Sequence, residues 1–546
     1  MVTLIGKRKR EDAIRQPTAF KKAATKPAVK VNGKPKSTSS SGGQPKPKPK
    51  DVSSGQAKSA ASKPPPKAAN GFHVGTAETA VSIQIVTGSY ERTLHGISAT
   101  IPARLLSRQA PTNGTKEQGS PDQDGADKVS FSDTFLFAAH TSAIRCIAVS
   151  PPTEAEKRFL ATGSSDERIN VYSISTAPPK VIDSLAKASL SGTRIAENAS
   201  NKSLGSLIHH DRAVTRLHFP AKGKLFSAAE DNTIAISRTR DWTVLSSIKA
   251  PIPKAQGRPS GDTAAPGDVP AGVNDFAVHP SQKLMLSVGR GERCMRLWNL
   301  MTGKKAGVLN FERDLLAQVG EGKHSSGEGR RVLFDENGER YVVGFERGAA
   351  LFDLESTPKG IIKPSPPTKL HQMRLLPKLA DGVTNTLLAT ATEDGRILFH
   401  DIGEHEGSTS RSEKAVPTCT FVAQLGGKAA GVNGRIKDFQ IISLPRDEEH
   451  AVSLIVTAGS DGSIRLWTVS AEELSQTSRA DKGPQQLEVE QIGTMIGQLE
   501  TGNRVTCMEA FLADGQQNNT EELSVDSPGA GALEESDDDS SDNDGR

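Results

Sequence analysis

The residues able to do chemistry in this chain are few and scattered. His140, His210 and Asp231 have the types of an acid/base set, and Cys146, Cys294, Cys419 and Cys507 are its four thiols. Histidine with a carboxylate can move protons, but a catalytic set also needs a nucleophile or a metal beside it. None is legible. Gly320-Glu-Gly-Lys-His-Ser lacks the GxxxxGK spacing of a phosphate loop, and there is no GxSxG, HExxH or HRD string. The cysteines form no CxxC pair and are spread over more than 350 residues. That pattern argues against a disulfide scaffold and a zinc site, and for a reducing compartment. No enzyme activity, metal or cofactor is expected. Cys146 and Cys507 fall on predicted strands and are expected in the core.

A different role for the same residues appears once the elements around them are read. Short β-rich runs recur at 143–149, 159–163, 169–174, 214–219, 225–229 and 233–237, each bounded by turn formers. Four segments share one spacing: Thr162 before Asp166, Ser227 before Asp231, Thr390 before Asp394 and Thr457 before Asp461. Six residues after each aspartate stand Tyr172, Ser237, His400 and Trp467. An aspartate in the tight turn between two strands accepts from turn amides and from a preceding histidine. The hydroxyl and the ring then extend that network into the sheet. His140 stands before Asp166 and His210 before Asp231. A fifth copy has Leu286-Ser287-Val288 before Leu297-Trp298, and a sixth has Tyr341-Val342-Val343 before Leu351-Phe352. This is the grammar of WD40 repeats.

First strands start near 143, 213, 272, 330, 369 and 435, with one more at Arg504–Phe511 and three before the first repeat, at 81–87, 92–100 and 133–139. One strand and three strands complete a seventh sheet. The expected fold is therefore all-β, a seven-bladed WD40 propeller over 81–512, closed by pairing of its C-terminal strand with its N-terminal three. At about 62 residues per blade the body exceeds the usual roughly 40–45. Insertions at 102–130, 176–203, 251–271, 403–417 and 470–486 account for the excess.

Charge is distributed unevenly over the 546 residues. Residues 1–70 carry 17 Lys/Arg against Glu11, Asp12 and Asp51, while 513–546 carry 11 Asp/Glu against Arg546. The body between is neutral. Residues 1–75 read as a disordered basic arm and 513–546 as a disordered acidic tail, since neither holds enough apolar surface to offset ordering. Lys7-Arg8-Lys9-Arg10, ten residues, then Lys21-Lys22 fits a bipartite nuclear import signal for a carrier. The rest of the arm suits rRNA phosphates. Ser536, Ser540 and Ser541 sit among carboxylates and are candidates for an acidophilic kinase. Apolar runs such as Leu454-Ile455-Val456 are too short to cross a bilayer. Arg145, Arg212, Glu230, Glu393, Arg435, Lys437 and Arg504 are expected on the top face of the ring. Their mixed signs suit a protein partner.

Longer strings give a closer resemblance. Val86-Thr87-Gly88-Ser89-Tyr90-Glu91 with Leu94-His95-Gly96, Phe137-Ala138-Ala139-His140-Thr141 and Leu207-Ile208-His209-His210 come first. Ser246-Ser247-Ile248-Lys249-Ala250, Val278-His279-Pro280-Ser281, Arg435-Ile436-Lys437-Asp438 and Arg504-Val505-Thr506-Cys507 follow. Together they resemble the family of PAK-interacting WD-repeat proteins, whose fungal member is called maintenance-of-killer eleven. The resemblance implies a non-enzymatic scaffold in the nucleolus, where it would assist assembly of the large (60S) ribosomal subunit and pre-rRNA maturation. The implied partners are pre-60S assembly factors and ribosomal proteins, with the chain monomeric inside the particle and no membrane involved. An animal member's restraint of a p21-activated kinase implies the alternative, a signalling scaffold. Gly289-Arg290-Gly291-Glu292 departs from the family, which has Gly-x-Asp there.

Overall fold

The computed structural model describes residues 80–106, 128–152, 157–177, 198, 200–253, 271–377, 386–403, 415–444, 452–474 and 491–513. The import clusters, Ser536, Ser540, Ser541 and most of each predicted insertion lie outside them.

Strands dominate because the sequence alternates short β-branched and aromatic runs with tight turns. They form seven antiparallel sheets of four strands each. We number the blades from the sheet that begins at Ile144. The inner strands of blades 1 to 6 are Ile144–Val149, Val214–Ala221, Val273–Val278, Arg331–Phe334, Leu370–Leu375 and Ile436–Leu444. Each starts one residue after the position expected from sequence. Blade 7 has Val505–Leu512 inside, followed by Val81–Ser89, Thr93–Ile101 and Ser130–Ala138. The closing pairing sets Ile83 opposite Leu512 and Gly88 opposite Cys507. Inner strands of neighbouring blades pack side by side around the whole circle, the last against the first.

A sheet that is apolar on both faces must be covered on both, and a ring does this for every blade at once. The buried side chains fall into seven clusters among the described residues, one in each gap between neighbouring blades. Between blades 5 and 6 lie Phe399, Phe439 and Trp467. Between 6 and 7 lie Leu454, Leu466, Ile85 and Met508. Between 7 and 1 lie Leu94, Cys507, Phe511, Ile144 and Leu160. Cys507 is buried in this gap, and Cys146 in the next one, between blades 1 and 2.

Sequence inspection overlooked one insertion. Between blades 3 and 4 a helix, Arg313–Val319, ends at Gly320, whose φ of 102° is a left-handed cap that favours glycine. The next residue, Glu321, is buried and accepts from the Arg347 amide at 2.9 Å. The glycine-rich stretch here is thus a helix stop that props the fourth blade.

Candidate functional site: the mouth of the ring

The turn between the second and third strands of a blade is where the WD40 residues meet. In blade 1, His140 places Nδ1 3.1 Å from Asp166 and Nε2 2.8 Å from the Thr162 hydroxyl. Asp166 also accepts from the amides of Thr141, at 2.9 Å, and Arg168, at 3.1 Å. Blade 2 repeats this with His210 Nδ1 at 3.0 Å from Asp231 and Nε2 at 2.8 Å from Ser227. Burial opposes ionisation of both carboxyls, but the histidines with the amide and hydroxyl donors outweigh it and hold both below the ordinary range. Burial in turn lowers His140, so its neutral form is favoured.

The other blades use different partners. In blade 6 Trp467 donates to Thr457 at 3.3 Å, and Asp461 meets Ser463 and Arg465. In blade 5 no histidine among the described residues links Asp394 to Thr390. Asp394 takes Arg396, at 2.7 and 2.9 Å, and the hydroxyl of Thr392. Thr390 instead donates to the Leu398 carbonyl at 3.4 Å. Ser237, six past Asp231, is buried with its hydroxyl unpartnered. In blade 3 the departure Gly289-Arg290-Gly291-Glu292 makes the turn one residue longer. Glu292 then falls six residues before Trp298, as Asp461 does before Trp467, and it grips Arg296 with both oxygens. Trp298 donates to Ser287 at 2.8 Å. Blade 7 carries a pair the sequence did not reveal, His95 against Asp133 at 2.7 Å. Its partners sit on different strands 38 residues apart, outside the repeat spacing.

His400 of blade 5 has no aspartate to meet. Its Nδ1 is buried without a partner, and burial pushes its pKa down to about 4. An unfolded histidine titrates near 6.5. The unfolded chain therefore binds the proton first, and stability falls as pH drops from about 6.5 to about 4. Replacing His400→Leu removes that proton from the balance. Thermal melts between pH 7 and 5 should show a shallower loss of Tm for the variant, and an unchanged slope would contradict this reading.

At the starting end of the inner strands one backbone bond recurs. The residue before the turn aspartate donates to the residue before the inner strand: Ser165 to Ala143, Glu230 to Ala213, Glu393 to Lys369 and Ser460 to Arg435, and in blade 7 Tyr90, which precedes Glu91, donates likewise to Arg504. This places the residues expected on the top face around one rim. Glu230 pairs with Arg145 at 3.3 Å and Arg290 at 3.0 Å. Glu346 pairs with Arg330 at 3.0 Å and Lys369 at 2.8 Å, and Glu393 with Arg435 at 3.5 Å. Arg504 lies over the exposed ring of Tyr90, 5.6 Å from its centroid. Arg212 is exposed. Lys437 is half-buried, and burial with the charges of Arg435 and Arg504 lowers its pKa.

Deeper in the channel two aspartates tie blades together. Asp275 accepts from its neighbour Phe276 at 3.0 Å and from Val332 of the next blade at 3.2 Å. Asp438 accepts from Phe439 at 2.9 Å, Met508 at 3.1 Å and Gln372 at 3.1 Å. Arg216 lies 3.1 Å from Asp275, and Arg374 3.5 Å from both Asp438 and Glu509. These charges are spent on the ring itself. Among the described residues no cluster of three metal-ligating side chains occurs, and no helix is long and apolar enough to cross a membrane.

Comparison with known proteins agrees with this architecture. The sequence profile of the WD domain, G-beta repeat, matches residues 131–173 and 201–236. The p21-activated protein kinase-interacting protein 1-like of Xenopus laevis is 25% identical over 435 residues, covering 80% of this chain and 83% of its own. Protein MAK11 of Saccharomyces cerevisiae is 25% identical over 413 residues, covering 71% and 78%. The Shk1 kinase-binding protein 15 of Schizosaccharomyces pombe is 24% identical over 398 residues, covering 72% and 81%. A WD40 ring and relatives named for what they bind suggest a non-catalytic protein. The chain is a seven-bladed WD40 propeller scaffold, homologous to the p21-activated-kinase-interacting proteins and to Protein MAK11.

Proposed function

We propose that this scaffold works in the nucleolus, in assembly of the large ribosomal subunit and maturation of its precursor rRNA. The observation that carries the reading is the joining of a neutral ring to an arm of 17 Lys/Arg within 70 residues, headed by paired basic clusters. A carrier reads the clusters, and the remaining lysines neutralise rRNA phosphates. The ring docks assembly factors and ribosomal proteins through its mixed-charge rim. The similarity to Protein MAK11 supports the same role, which is the one the family resemblance implies.

A second reading, a scaffold that binds and restrains a p21-activated kinase, is favoured by the relatives named as kinase-interacting and kinase-binding. Affinity purification of the tagged chain from nuclear extract, with sequencing of bound RNA and mass spectrometry, separates the two. Large-subunit pre-rRNA with assembly factors is the expected recovery. A kinase without pre-rRNA would overturn the ribosomal reading. Deleting residues 1–70 should also flatten the salt dependence of the association, because fewer counterions are released.

A further inference from the structure

One position repeats at the mouth of the channel, the second residue of each inner strand. In blades 1 to 7 it is Arg145, Thr215, Asn274, Arg331 (the first residue of its shorter strand), His371, Lys437 and Thr506. In six of the blades it sits at an irregularity in the pairing of the inner strand. In five blades its side chain reaches across to the next blade. Thr215 donates to the Val273 carbonyl at 2.6 Å, Asn274 to Gly329 at 2.9 Å, Arg331 to His371 at 3.2 Å and Thr506 to Ile144 at 2.6 Å. Arg145 meets Glu230 at 3.3 Å. The position is a staple between blades.

Blades 5 and 6 break the pattern. His371 and Lys437 form no such staple, and the buried Nε2 of His371 has no partner. Lys437 makes no ion pair or hydrogen bond within the described ring. The surrounding charge is positive: Arg330, Arg331 and Arg435 act on both or one of the two side chains, and Arg504 acts on Lys437. The nearby glutamates Glu346 and Glu393 are already held by Arg330, Lys369 and Arg435. Glu393 alone opposes the cations at Lys437, so two groups freed from the staple stand in a net positive field and form a site for an anion.

We propose that His371 and Lys437 form a subsite at the channel mouth that receives the carboxylate of an acidic side chain carried by a protein partner. The inference rests on the reading of this rim as the docking face. Three features select this ligand. Three of the four nearby guanidinium forks that suit a phosphoryl group are held, Arg330 on Glu346, Arg435 on Glu393 and Arg331 on the backbone carbonyl of His371, while the fourth, Arg504, lies over the ring of Tyr90. At the pair itself stand the Lys437 ammonium and the unpartnered Nε2 of His371, which in its N–H tautomer is a single donor, and together they match the two oxygens of a carboxylate. The glutamates of the rim repel a continuous phosphate backbone, while a protein loop tolerates them by placing its own charges in register. Bound anion would raise the pKa of His371 from about 4.

The test uses the full chain and a fluorescein-labelled glutamate-rich decapeptide, read by anisotropy at physiological salt. Lys437→Met should weaken binding about tenfold, as loss of a charge-assisted hydrogen bond does, and Lys437→Arg should restore most of it. Carbodiimide coupling of the same peptide should map to Lys437 by mass spectrometry. Thermal melts establish that the variants fold. Unchanged affinity in Lys437→Met and His371→Leu, with coupling confined to residues 1–70, would overturn the proposal. Tighter binding at Lys437 of a phosphoserine peptide or a single-stranded RNA would overturn the choice of carboxylate. The docking reading fails separately: if Arg435→Glu and Glu393→Arg leave every purified partner in place, this rim is not the docking face. Partners lost with those two variants but kept by Lys437→Met leave docking intact and remove the subsite.

Discussion

Deleting residues 505–512 should leave no cooperatively folded protein. The strand is the inner edge of blade 7, and its loss uncovers Ile83, Ile85 and Val86 on the neighbouring strand. Val505, Cys507, Met508 and Phe511 are all buried, in the clusters on both sides of the blade. At about 1.5–3 kcal/mol for each large apolar side chain, their removal costs on the order of 8 kcal/mol. Total stabilities of roughly 5–15 kcal/mol leave little after that. The deletion also removes Thr506, which spans from Gly88 to Ile144 across the seam, and the Met508 amide that Asp438 holds. The check is denaturant unfolding followed by tryptophan fluorescence and circular dichroism together. A sharp, coincident transition in the truncated chain would show that the ring closes without this strand. Supplying 500–513 as a separate peptide should restore part of the signal, because the lost contacts are noncovalent.

Asp438→Ala should destabilise the ring more than any substitution on the rim. The carboxylate joins three consecutive blades through Gln372, its own neighbour Phe439 and Met508. It also faces Arg374, a cation that depends on it and on Glu509 for compensation. Removing one partner of a buried ionic cluster costs about 3–5 kcal/mol, since the remaining charge stays in place. Asp438→Asn keeps the shape but can accept on one atom only, so it should recover part of the loss. Chemical denaturation measures both. By contrast, Arg212→Ala on the exposed rim should fall within about 0.5 kcal/mol of the parent chain. If Asp438→Ala proved as mild as Arg212→Ala, the inter-blade ties would be geometric coincidence and apolar packing alone would hold the circle.

The two variants probe different sources of cohesion. Truncation removes apolar area and hydrogen-bonding backbone, the part of ring stability that grows with every blade. Asp438 contributes a tie that fixes how blades 5, 6 and 7 sit against one another. The same device recurs at Asp275 for blades 3 and 4, where it reaches Val332. In the remaining gaps Thr215 and Thr506 do similar work with neutral groups, and Arg145 and Arg331 with charged ones, while Asn274 adds a neutral staple to the gap that Asp275 ties.

The sequence by itself determined the blades. Turn formers, strand runs and the hydroxyl–aspartate spacing act within about ten residues, so they are written in local order and can be read there. That is why the inner strands begin one residue from where the spacing put them, and why the odd strand Arg504–Phe511 could be assigned to the three at the other end of the ring. The networks of His140 with Asp166 and of His210 with Asp231 were legible for the same reason. Only the tertiary structure decided which charges serve the ring and which are left for a partner. Asp438 meets Gln372 and Met508 across 66 and 70 residues, and nothing local predicts that meeting. Asp394 takes Arg396 and Thr392, with no histidine among the described residues linking it to Thr390 as His140 links Asp166 to Thr162. Glu292 replaces the missing aspartate because the lengthened turn carries its longer side chain to Arg296. Lys437 and His371 look like their homologous positions in sequence. Their difference is that the next blade offers them no staple, and that is a property of the assembled circle.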